Sequence, residues 1–96
     1  MPPALSPRER ARLKARAHPL EPVVQVGHGG LTEAVVAEVD RALAAHELIK
    51  VRVGVTDRHD RAHVCESLSV KTDAAMVQQV GKVVVLWRPR GDEDEA

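Results

Sequence analysis

Three glycines crowd into four residues at Gly27-His28-Gly29-Gly30, between the valine run Pro22–Val26 and a patterned stretch that opens at Leu31. Glycine weakens helices and strands alike, so a cluster of it marks a place where the backbone itself has work to do. A strand, a glycine-rich turn and a helix start together form an anion-binding setting. Free backbone N–H groups and the positive end of the helix dipole face the same space there. Two nucleotide fingerprints can be tested by counting. G-x-G-x-x-G from Gly27 needs glycine where Thr32 stands. The Walker pattern needs a Gly-Lys-Ser or Gly-Lys-Thr triplet, which the chain lacks. What remains is G-x-x-G, Gly27 and Gly30 around His28-Gly29.

In K-homology modules such a loop clamps a nucleic-acid backbone. The plain alternative is a tight turn from strand to helix. Other chemistry is weaker. His59 and His63 stand four apart and could share a metal. Cys65, however, lies about 200° around a helix from His63, at 3.6 residues per turn. There is no H-E-x-x-H and no second cysteine, so half-exposed histidines are the simpler reading and no metal or other cofactor is expected. Ser67 and Ser69 have no evident base and orienting partner, and Cys65 has no electropositive loop around it. The chain reads as a non-enzyme, with no small-molecule substrate.

Composition narrows the field further. The chain has 96 residues, enough for one domain with a single modest core. Phe and Tyr are absent and Trp87 is the only aromatic residue. Modules that stack single-stranded bases on several aromatic rings are therefore nearly excluded. The N-terminal stretch has no apolar signal region, and no run is apolar enough to cross a membrane. A cytoplasmic, soluble monomer is expected. Net charge is zero but segregated: the first eighteen residues carry five basic groups against Glu9, and the tail Asp92–Glu95 is wholly acidic. Without that tail the domain is basic, which suits a polyanion or merely a solvated surface.

The elements that must position these residues can be read in order. Ser6, Pro7 and Glu9 form a helix start with a capping box, and His18-Pro19 ends that helix. Leu13 and Ala17 give it a narrow apolar stripe. Pro22–Val26 is a short strand, and Thr32 caps a second helix with Leu31 and Val36 as its hydrophobic staple. Glu47–Val55 alternates, with Ile49, Val51, Val53 and Val55 on one face and Leu48, Lys50 and Arg52 on the other. Asp57 caps a third helix of uncertain end. Two β-rich runs then meet at Gly81-Lys82, a II′ hairpin turn. The order is α-β-α-β-α-β-β. Helices two and three should cover one sheet face, and helix one part of the other. Residues 1–5 and 91–96 are expected to be disordered, with one domain over 6–90.

The stretches "LKARAHPLEPVVQVGHGGLTEAV", "HELIKVRV" and "VQQVGKVVVLWRP", in this order and spacing, closely resemble the CRM domain (chloroplast RNA splicing and ribosome maturation) in its stand-alone bacterial YhbY form. That resemblance covers about residues 6–90. It implies an α/β fold of the α+β two-layer kind, a four-stranded mixed sheet with helices, similar to the C-terminal domain of the third translation initiation factor. It also implies binding of structured RNA, with bacterial members on precursors of the large ribosomal subunit and organellar ones assisting group II intron splicing. The family loop maps onto Gly27, His28, Gly29 and Gly30. Its basic surface would include Lys14 and Arg16 of the first helix, and Lys82 and Arg88 of the hairpin. Arg12 on that helix and Lys50 and Arg52 on the sheet complete the expected RNA contacts. Two features depart from the family: the loop tip is His28-Gly29 where relatives are often polar or basic, and the acidic tail stands where relatives can be basic. The competing reading is a protein-binding adaptor that uses the sheet edge or the tail.

Overall fold

A computed structural model describes residues 1–90. The chain starts as its capping residues dictate. Ser6 Oγ accepts from the Glu9 N–H at 3.1 Å, and the Glu9 carboxylate accepts from the Ser6 N–H at 2.9 Å. Those bonds, with Arg12 nearby, hold the Glu9 carboxyl below the usual range. Ser6→Ala should destabilise the protein by about 1 kcal/mol, the ordinary worth of an N-cap, in urea denaturation. Helix α1 (Pro7–Ala17) follows, then β1 (Pro22–Val26), α2 (Glu33–His46), β2 (Leu48–Val53), α3 (Arg58–Thr72), β3 (Ala75–Val80) and β4 (Val83–Trp87). This is the order expected from the sequence. Residues 1–5 form no helix or strand, yet Leu5 is half-buried beside α1 and the N-terminal amine pairs with Asp73.

The four strands form one mixed sheet in the order β1-β2-β4-β3. β1 runs parallel to β2, while β4 is antiparallel to both of its neighbours. Side-chain alternation divides the residues between two cores. On one face Val24, Val26, Ile49, Val51, Val53, Val84 and Leu86 pack against Val39 and Leu43 of α2 and Cys65 and Leu68 of α3. On the other, Leu48, Val77 and Val85 meet Leu13 and Ala17 of α1, with Trp87 alongside. Strand β4, central and covered on both faces, has Val84, Val85 and Leu86 buried in succession, as its unbroken apolar run requires. Gly81 turns the β3–β4 hairpin at φ +57.

Burial places Cys65 in the first core and pushes its thiol up, an effect that Arg61 partly offsets. Two caps escape the sequence reading: Glu47 and Asp73 close α2 and α3 at φ 66 and 59. α3 ends at Thr72, whose hydroxyl donates back to the Leu68 carbonyl at 2.7 Å.

Candidate nucleic-acid interface

The parallel pairing of β1 and β2 brings their C-terminal ends to one side of the sheet, and α2 and α3 both begin there. The Gly54 N–H donates to the Val26 carbonyl at 2.7 Å, and the Val53 N–H donates to the Lys82 carbonyl at 2.6 Å. The glycine loop, the end of β2 and the Gly81-Lys82 tip therefore share an edge. Gly54 makes the closeness possible, since a Cβ on it would stand 3.1 Å from the Val26 carbonyl oxygen. Arg61 braces the same corner, donating from Nε to Gly81 and from Nη1 to the Val55 and Thr56 carbonyls. In the sequence Arg61 is one more basic residue on the third helix. What it grips are loop carbonyls, which no local pattern announces.

Within the loop, the Gly30 N–H donates to the Gly27 carbonyl at 3.0 Å and Gly30 takes φ +81. Only this glycine is required by its own backbone. A Cβ on Gly27 or Gly29 would meet nothing within 4 Å. The chain itself thus gives no steric reason for those two to lack side chains. Thr32 accepts from Val35 through its hydroxyl and from Val36 through its carbonyl. The Glu33 and Ala34 N–H groups, at the first two helical positions, are left facing outward as at any helix start. The loop therefore offers donors, the positive end of α2 and an unobstructed approach.

Lys50 and Arg52 lie on the α1 face of β2, as expected, and Arg52 pairs in register with Gln25 of β1. Val23, Gln25, Arg52 and Val80 stay exposed. Lys14 and Lys50 line one groove of about 350 Å³ with His18, Pro22 and Val80, where Lys50 Nζ donates to the His18 carbonyl at 3.2 Å. Arg16 lines a different groove, with Leu20, Val23 and His46. Lys14 and Arg16 stand about 200° apart on a helix of 3.6 residues per turn, so α1 turns them to opposite flanks. Arg12, one turn before Arg16, falls on the latter's side.

Arg88 is not brought to this surface. It sits at the other end of β4, with Nη1 on the Asp40 carboxylate at 2.6 Å and on the Thr72 carbonyl at 2.9 Å, and Nη2 on the Asp40 carbonyl at 3.1 Å. It ties the sheet to α2 and to the end of α3. Arg10 is likewise occupied, donating to the Met76 and Val77 carbonyls along the β3 edge. His59 and His63 lie exposed on α3. No group of three or more His, Cys, Asp and Glu among the described residues is arranged to hold a metal ion. None of the described helices is long and apolar enough to cross a membrane. The acidic tail lies outside the described residues.

The chain as a whole is similar to known proteins. A family model described as the CRS1/YhbY (CRM) domain matches residues 5–88. An RNA-binding protein of Haemophilus influenzae is 46% identical over 85 residues, covering 88% of this chain and 86% of that protein. A Pseudomonas aeruginosa protein, named a probable RNA-binding protein, is 39% identical and covered to 82%. Among solved structures, a Staphylococcus aureus protein proposed to bind RNA superposes with a TM-score of 0.83 at 32% identity, over 96% of each chain.

Proposed function

The chain belongs to the CRS1/YhbY (CRM) domain family, and from that premise we propose that it is a non-catalytic, cytoplasmic RNA-binding protein. Its target on this reading is ribosomal RNA in precursors of the large subunit. The observation that carries the reading is the glycine loop: Gly27 and Gly29 have open space where side chains would stand, directly before the α2 N-terminus. A phosphate approaching that loop would meet backbone donors at a distance that larger side chains would deny it. Lys82 at the adjacent tip, Arg52 and Lys50 on the open sheet face, and Lys14 across the groove would neutralise neighbouring phosphates. Arg12 and Arg16 would serve RNA that wraps the far flank of α1.

Contacts of this kind position a protein without reading sequence. Binding should therefore follow RNA shape and fall steeply with salt as counterions are released. Replacing Lys50 and Arg52 together by Gln should lower the slope of log affinity against log salt by about one to two units, the worth of two phosphate contacts. An unchanged slope would remove the sheet face from the interface. The cellular reading is tested by sedimenting a lysate. Co-migration with large-subunit precursors, lost on RNase treatment, supports it. RNase-resistant association with a protein would support the adaptor reading instead.

A further inference from the structure

Behind the glycine loop lies a recess that the phosphate contacts do not use. His28, Gly29, Gly30 and Leu31 form one wall, and Val55 with Asp60, His63 and Val64 forms the other. Asp60, His63 and Val64 stand at i, i+3 and i+4, the spacing that puts side chains on one helix face. At about 290 Å³ the recess lies at the small end of ligand sites. We propose that it takes one unpaired guanine from an RNA whose backbone lies on the loop. The proposal rests on the RNA-binding reading above and adds a base-specific contact to it.

The chemistry of the walls selects the occupant. Asp60 would repel a phosphate, so the recess is not a second anion site. Leu31, Val55 and Val64 supply apolar surface for a flat ring, and imidazoles can stack on bases as larger aromatics do. His28 and His63 thus supply what the absence of Phe and Tyr had seemed to exclude. The Asp60 carboxylate only accepts hydrogen bonds. It is not the helix cap, because Asp57 Oδ1 takes the Asp60 N–H at 3.0 Å. Nor does it enter any of the ion pairs found among the described residues. Guanine alone presents two adjacent donors, N1–H and the 2-amino group, to a carboxylate. Adenine and cytosine set an acceptor beside their donor, and uracil flanks its one donor with carbonyls.

The test uses a stem-loop RNA with a uridine loop that carries one variable base, read by fluorescence anisotropy with the full chain at fixed salt. The wild-type protein should bind the guanine form about fivefold or more tighter than the other three, the low end of one good base contact. Asp60→Asn should cut that preference to less than about twofold and leave the salt slope unchanged. His63→Ala should weaken all four forms alike. Wild-type binding with a normal salt slope and no base preference would overturn the guanine site while leaving the RNA reading intact. A guanine preference that survives in Asp60→Asn would also overturn it. No binding to any form, or to ribosomal RNA fragments, would bring down both.

Discussion

Gly29→Asp is expected to weaken RNA binding at least tenfold while the protein melts within about 2 °C of wild type, a shift worth well under 1 kcal/mol in a domain this size. The stability half follows from the loop geometry. A Cβ at Gly29 meets nothing within 4 Å, and Gly29 does not take a positive φ. The affinity half follows from charge. Two like charges 4 Å apart cost about 1 kcal/mol in water and about 4 kcal/mol at the effective dielectric of a protein surface. Each 1.4 kcal/mol is a factor of ten. Gly30 is the wrong place for this test, because its φ of +81 would strain any side chain. A double variant at both positions would mix a folding defect with a binding defect. Gly29→Ala provides the control for size. If bulk alone denies the phosphate its approach, Ala should already weaken binding several-fold. If charge dominates, Ala should bind nearly as wild type. Wild-type affinity in Gly29→Asp would show that no phosphate comes near the loop.

The sequence was most informative where structure depends on neighbours a few residues away. The Ser6–Glu9 box, the Thr32 and Asp57 caps and the Gly81 turn are all local chemistry, and each appears where its residues stand. The alternation in Leu48–Val53 assigned Lys50 and Arg52 to a face, because strand parity needs no tertiary knowledge. The separation of Lys14 from Arg16 was equally present in the sequence, in their spacing of two on a helix. Grouping them by charge hid it. Other features could not be read locally. Gly54 is a lone glycine whose reason appears only when β1 and β2 are in register. The recess joins a loop after β1 to a helix after β2, across about thirty residues of chain. Arg10, Arg61 and Arg88 all spend their guanidinium groups on backbone carbonyls of distant segments. In sequence such an arginine looks the same as one waiting for a phosphate.

Arg88 is where that ambiguity has the largest consequence. Arg88→Ala is expected to destabilise the fold by about 2 kcal/mol and to leave the salt slope of RNA binding unchanged, measured where the variant is still folded. The ion pair with Asp40 is a minor part of this. Asp40 is 58% exposed, and water screens most of the attraction. The larger part is the pair of hydrogen bonds to the Thr72 and Asp40 carbonyls, from a side chain only 22% exposed. Hydrogen bonds to a charged group are worth about 1.5–3 kcal/mol each, less what water returns when the site opens. Thr72 is also the last residue of α3, where a cation meets the negative end of the helix dipole. Arg88→Lys should recover little, because an ammonium cannot span both helices as the guanidinium fork does. The opposite outcome, intact stability with a salt slope lower by about one, would return Arg88 to the RNA surface. It would also mean that RNA wraps past the loop edge to the far end of the sheet.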